Sequence, residues 1–243
     1  MLVTARSLTL GYDRHRALTA ADFEVPSRGI TVLIGPNGSG KSTVLAALAG
    51  LIEPMSGTIS WAGGRRPRIS LVLQATQVNA SLPVPVREVV LMGRYPNSGM
   101  FGRLQAEDHR AVADSMERMA ITDLADRHLH DLSGGQRQRV CVAQGLAQPH
   151  DVLMLDEPLT GLDIPAATTI DDVIHEEADG GVPVLLTSHD LAEARAADHV
   201  LLLSRRVVSQ GPPEVSLTDE FLAEAYGEPL HPNGDVHDDE SHH

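Results

Sequence analysis

The segment Gly35-Pro36-Asn37-Gly38-Ser39-Gly40-Lys41-Ser42-Thr43 constrains this chain most. It fits the pattern G-x-x-x-x-G-K-[ST]. It lies between an apolar run, Ile30–Ile34, and a helical stretch, Lys41–Ala49, which Gly50 is placed to cap. Glycines let backbone N–H groups curve around phosphate oxygens, and the helix that follows turns its positive end toward the anion. In such a loop Lys41 reaches the β- and γ-phosphates and Ser42 offers an oxygen to Mg²⁺. The 19 basic residues are 18 Arg and one Lys, and that one is Lys41. A branched, planar guanidinium does not replace a compact ammonium threaded through a tight loop.

Apolar runs alternate with helical stretches along the chain, which indicates an α/β fold. Ile30–Ile34, Ile69–Leu73, Val152–Leu155, Val184–Thr187 and Val200–Leu203 are continuous rather than alternating. Strands buried on both faces of a parallel sheet have that pattern. Leu2–Leu10 and Ala20–Val25 alternate, as an antiparallel sheet does, and Thr58–Trp61 is a candidate third strand. Between Gln74 and His150 the texture changes. Pro83, Pro85 and Pro96 punctuate a loop region, and Ala106–Met119 and Gly135–Ala147 read as amphipathic helices. Residues 75–149 are therefore expected to form a helical insertion in a core made of 1–74 and 150–215. A short helix, Thr218–Tyr226, follows, and 227–243 form an acidic, histidine-containing tail.

A second chemical site follows from Val152-Leu153-Met154-Leu155-Asp156-Glu157, an apolar strand ending in two acids. An acid at a strand's C-terminal end beside a phosphate loop holds Mg²⁺, a role that falls to Asp156. Glu157 then points at the γ-phosphate and polarises the attacking water, a contribution of about 10²–10⁴-fold for a positioned base. Ser133-Gly134-Gly135-Gln136 opens a further helix, which makes a second anion site.

With Leu132-Ser133-Gly134-Gly135-Gln136, Gly161-Leu162-Asp163 and Ser188-His189-Asp190 in the same order, the chain resembles the ATP-binding cassette (ABC) ATPases. The resemblance covers residues 1 to about 226. It implies a P-loop NTPase core, RecA-like and mainly parallel, with an antiparallel β subdomain and an inserted helical subdomain. It also implies ATP and Mg²⁺ as ligands and a head-to-tail dimer with a second copy of the chain. Each ATP would lie between the phosphate loop of one copy and Ser133–Gln136 of the other. By the same resemblance, Asp163 touches the opposite site, and His189 senses the γ-phosphate while holding Glu157 and water. Gln74 joins Mg²⁺ and water to the helical subdomain, and Tyr12 stacks on adenine. At Gln144 the family usually has Arg, a departure that bears on a local ion pair and not on catalysis.

Relatives that act on DNA or ribosomes carry a coiled-coil insertion or two cassettes in one chain, and this chain has neither. A single cassette of this size resembles the ATPase subunit of a bacterial importer. It would energise a separate membrane permease and, through it, an extracytoplasmic substrate-binding protein. The permease helix would dock near Ala75–Arg94. The stretch Val86–Tyr95 resembles the zinc and manganese importers, and nearly as much those for iron-siderophores, haem and cobalamin. A soluble, non-transport cassette is the reading from another class. A small-molecule P-loop kinase would leave Ser133–Gln136 unexplained.

Composition agrees with this. Of the −14 net charge, nine of the 33 acids lie beyond Arg206, where there is no Lys or Arg. That leaves residues 1–206 at 24 acids against 19 bases, near −5. Without a basic run, nucleic-acid binding is not expected. Apolar runs such as Val200–Leu203 are far shorter than the roughly 20 residues of a membrane helix. The first residues lack a signal peptide's apolar core, and the single cysteine, Cys141, fits a reducing cytosol. The expected location is the cytoplasmic membrane face, held there by the permease. In the tail, His231, His237, His242 and His243 stand among Asp235, Asp238, Asp239 and Glu240. That set suits Zn²⁺ or serves as a solubilising tail.

Overall fold

The computed structural model describes residues 1–12, 15–74, 83–95 and 104–227. In chain order the elements are β1 Val3–Tyr12, β2 His15–Val25, β3 Ile30–Ile34, α1 Lys41–Ala49, β4 Ser56–Trp61 and β5 Ile69–Val72. Then come α2 Val86–Leu91, α3 Ala106–Arg118, α4 Gly134–Ala147, β6 Val152–Leu155, α5 Ile164–Asp179 and β7 Val184–Ser188. The chain continues through α6 Leu191–Ala196, β8 His199–Leu203, β9 Val207–Gly211, α7 Pro213–Ser216 and α8 Asp219–Tyr226.

The six-stranded sheet has the order β5-β6-β7-β3-β8-β9. It is parallel except for β9, which returns antiparallel beside β8. The continuous apolar runs at β3, β6 and β7 are buried along their whole length. Successive side chains of a strand point to opposite faces, so each run feeds two cores. Val32, Ile34, Leu153, Leu155, Leu186 and Leu202 face the core shared with α2–α6. Leu33, Val152, Met154, Leu185 and Leu201 face the core shared with α1 and the second sheet. That second sheet is antiparallel with the order β2-β1-β4, so the third strand expected at 58–61 does join it.

Several boundaries differ from the sequence expectation. β5 ends at Val72, leaving Leu73 40% exposed, so Gln74 lies two residues past the strand rather than at its end. β9 carried no apolar run to mark it; its residues are half-buried at a sheet edge. Pro85 acts as the N-cap of α2, where a residue without N–H loses nothing, so the proline-punctuated segment contains a helix. The helix α4 lies close on β5. The Ser70 hydroxyl donates to Gly145 O at 2.8 Å, and a Cβ on Gly145 would fall 2.4 Å from Val72 Cγ2. At Gly50 the helix α1 ends in a left-handed residue, φ 80°, as expected. Among the described residues no helix is long and apolar enough to cross a membrane. The tail and the first part of the expected docking segment, 75–82, lie outside the described residues.

Candidate active site

The sequence-marked groups converge because they all follow parallel strands. Gln74 lies past β5, Asp156 and Glu157 follow β6, His189 follows β7, and the phosphate loop follows β3. These are adjacent strands in one sheet, so their C-terminal ends form one edge, where ligands of open α/β sheets bind.

The loop's backbone is shaped by two close approaches. Gly35 has φ 152°, and a Cβ there would lie 2.0 Å from Leu203 O. Gly40, φ 103°, is the N-cap of α1, and a Cβ there would meet Ala17 O at 2.8 Å. Lys41 is 5% exposed, and its Nζ donates to Gly35 O at 2.7 Å and to Pro36 O at 3.2 Å. The ammonium thus folds back under the loop. Burial pushes its pKa below the ordinary lysine value, and the nearby Glu157 and Asp156 carboxylates oppose that shift.

The two carboxylates have different settings. Asp156, 5% exposed, accepts from Ser42 Oγ at 2.9 Å and from Thr187 Oγ1 at 2.6 Å, both on Oδ1. Its own N–H donates to Val72 O at 2.9 Å. Glu157 is half-buried and sits at φ 47°, a left-handed conformation uncommon for a non-glycine residue. Its N–H donates to Thr187 Oγ1 at 2.8 Å. Thr187 therefore ties both carboxylate residues to the end of β7. The sequence reading did not single it out. Its one available signal was a hydroxyl immediately before Ser188-His189 at the end of an apolar run.

A cleft of about 410 Å³ is lined by Gly35, Pro36, Asn37, Glu157, Thr160, His189 and Tyr226. His189 is exposed in it, with Nδ1 3.5 Å from Thr160 Oγ1. A neighbouring cleft of about 280 Å³ is lined by Gln74, Gly134, Arg137, Gln138, Thr160, Gly161 and Leu162, and Thr160 borders both. Gln74 and Gly134 of the Ser133–Gln136 segment thus stand beside the first cleft without lining it. At that segment Ser133 caps α4 in a reciprocal box. Gln136 N–H donates to Ser133 Oγ at 3.2 Å, and Ser133 N–H donates to Gln136 Oε1 at 3.0 Å. The box occupies those two N–H groups, so the donors left at the helix start are those of Gly134 and Gly135. Ser133 and Gly134 are exposed. Asp163 is the N-cap of α5, and its Oδ1 would lie 3.1 Å from a Cβ on Gly135. Tyr12 is 55% exposed at the end of β1 and is not among the residues lining either cleft.

The profile of the ABC transporter family matches residues 18–160. This chain belongs to the ABC transporter family. It is 36% identical to a manganese transport system ATP-binding protein of Synechocystis, over 93% of this chain and 90% of that protein. It is 37% identical to the ferric enterobactin transport ATP-binding protein of Escherichia coli, over 90% of this chain and 85% of that protein. An inward-facing structure of a metal-chelate type ABC transporter superposes with a TM-score of 0.83 at 27% identity, covering 94% of this chain and 90% of that one. A cassette dimer bound to ADP and phosphate superposes with a TM-score of 0.74, and at 23% identity that likeness concerns the fold. The ABC cassette is a P-loop ATPase, so the chain binds ATP and hydrolyses it to ADP and phosphate. The fold expected from the sequence is the one observed.

Proposed function

We propose that this cassette energises import of a divalent metal ion, manganese or zinc, through a separate membrane permease. The observation that carries the ATPase half of this reading is the convergence of Lys41, Asp156, Glu157 and His189 on one sheet edge. The metal half rests on similarity over nine tenths of the chain to proteins named for metal and manganese transport. The ferric enterobactin relative supports iron-chelate import as a second reading.

In this reading Lys41 and the loop N–H groups hold the β- and γ-phosphates. Ser42 Oγ, Asp156 Oδ1 and the Gln74 amide oxygen are hard oxygen donors of the kind Mg²⁺ selects. The first two already lie 2.9 Å apart. The ion would neutralise charge developing on the phosphates. Glu157 takes the proton of the attacking water as its oxygen adds to the γ-phosphorus and the bond to the β,γ-bridging oxygen breaks, so that ADP leaves with that oxygen and phosphate is formed. His189, across the cleft, orients that water and the phosphate. Tyr12, exposed at the end of β1, would stack on adenine.

The exposed Ser133–Gln136 helix start suits a γ-phosphate held by a second copy, with Asp163 beside it reaching the opposite site. Two copies would therefore close head to tail around two ATP molecules. Residues 75–149 would be the helical subdomain. A groove of about 400 Å³ between α2 and α3, lined by Arg87, Glu88, Leu91, Val112 and Met116 among others, suits a short amphipathic permease helix. The chain would thus sit on the cytoplasmic membrane face.

Glu157→Gln tests the assignment. The purified variant is expected to bind ATP, elute as a dimer with ATP and Mg²⁺, and hydrolyse it at least about 100-fold more slowly. Steady hydrolysis at the wild-type rate would refute the base. Deleting the gene is expected to abolish uptake of radiolabelled manganese or zinc. Loss confined to ferric chelate uptake would transfer the reading to iron, and failure to copurify with any permease would favour a soluble cassette.

A further inference from the structure

From the structure we infer that the C-terminal helix is part of the hydrolytic site. The ring of Tyr226 walls the cleft that holds Glu157 and His189 and acts as a positioning residue for the hydrolytic step. This rests on the reading of that cleft as the site of ATP hydrolysis.

Three observations carry it. Tyr226 lines the cleft together with Gly35–Asn37, Glu157, Thr160 and His189, although it lies 37 residues beyond His189 in the chain. It is the last residue of α8, which begins at a Thr218 cap and stops at Gly227, φ 82°. Leu222, one turn earlier on the same helix face, is 3% exposed in the main core. The helix is thus anchored one turn below the residue that reaches the cleft. Finally, the phenol oxygen is buried with no hydrogen-bond partner among the described residues, and burial pushes the phenol pKa up. The hydroxyl is therefore closed off from solvent, so what Tyr226 offers the cleft is the apolar part of the residue.

An apolar wall has a definite use there. Hydrolysis requires one water held against the γ-phosphate by Glu157 and His189, with other water kept out. A ring without charge adds nothing to phosphate affinity, so its removal acts on turnover. Tyr226→Ala is expected to lower kcat about 5- to 50-fold with the KM for ATP changed less than about twofold. Tyr226→Phe, which keeps the ring and removes the unpaired hydroxyl, is expected to retain the wild-type kcat.

The experiment measures steady-state ATP hydrolysis and thermal unfolding of the full chain for Tyr226→Ala, Tyr226→Phe, Leu222→Ala and Glu157→Gln. Leu222→Ala unpacks the same helix away from the cleft. It is expected to lower Tm and, because Leu222 only anchors the helix, to lower kcat less than Tyr226→Ala does, measured well below the midpoint of either variant. The inference is overturned if Tyr226→Ala keeps the wild-type kcat, if its loss is matched by Leu222→Ala, or if Tyr226→Phe fails as Tyr226→Ala does. Glu157→Gln separates the levels. If it hydrolyses ATP normally, the site reading itself fails. If it is inactive while Tyr226→Ala is unimpaired, only the role of Tyr226 falls.

Discussion

Thr187→Val removes one hydroxyl and nearly nothing else, because valine has the same shape and Thr187 is fully buried. Two bonds disappear. Thr187 Oγ1 no longer donates to Asp156 Oδ1 (2.6 Å), and the Glu157 N–H loses its acceptor (2.8 Å). A bond to a carboxylate contributes about 1.5–3 kcal/mol and a neutral one about 0.5–1.5 kcal/mol. Asp156 keeps the Ser42 hydroxyl on the same oxygen, which places the expected loss near the middle, about 3 kcal/mol. For a chain of this size, that corresponds to a fall in Tm of about 6–12 °C. The effect on catalysis exceeds the effect on folding. Glu157 is held at φ 47° by a short turn whose N–H is fixed by Thr187. When that bond is lost, the backbone relaxes and the carboxylate moves. A displacement of about 1 Å costs roughly 100-fold in rate. Urea denaturation gives the stability change, and phosphate release below the unfolding midpoint gives kcat. Thr187→Ser keeps the hydroxyl and is expected to retain most of the activity. A valine variant as active as the wild type would refute the claim that Thr187 aims Glu157.

Two further outcomes follow from the same geometry. Lys41→Arg is expected to fold but to lose at least about 100-fold in ATP hydrolysis, because a guanidinium does not fit under a loop whose carbonyls lie 2.7 and 3.2 Å from the ammonium; wild-type turnover by the purified variant would contradict this. His150, between α4 and β6, bonds to α5, with Nε2 3.2 Å from Glu177 Oε2, while Arg118 of α3 donates to the other Glu177 oxygen at 2.7 Å. Burial alone would depress the His150 pKa, but Glu177 and the Gln148 carbonyl outweigh it and hold it above the ordinary value. A raised folded-state pKa means that the stabilisation is complete below the unfolded value of about 6.5 and is lost as pH rises through the folded one. The stability gap between wild type and His150→Gln is therefore expected to shrink from pH 6 to pH 8.5 in denaturant titrations, and a gap that widens would overturn the assignment.

What the sequence made legible was local. The phosphate loop, the acids ending β6 and the cap at Ser133 each depend on residues within about ten positions of one another, so spacing alone predicts them. The buried strands were legible because a strand covered on both faces must be apolar throughout. β9 was not, since an edge strand half-open to solvent needs no such run. The helix α5 was not marked either, although Asp163 followed by Pro165 is a helix-start signal.

Thr187 and Tyr226 escaped for a different reason. The role of Thr187 is set by the parallel register of β6 and β7, which pairs Leu155 with Leu186 and so brings the next residue of each strand, Asp156 and Thr187, together at the sheet edge. Shifting that register by one residue would turn the hydroxyl to the other face. Nothing within either strand specifies the pairing; it emerges from burying Leu153 and Leu155 against the same core as Leu186. Tyr226 depends likewise on where β8 and β9 return the chain. The residues assigned to phosphate are thus written in short motifs, whereas those proposed to aim the base are written in how strands and helices pack. Core substitutions at β7 that shift its register are for this reason expected to impair turnover before they unfold the cassette.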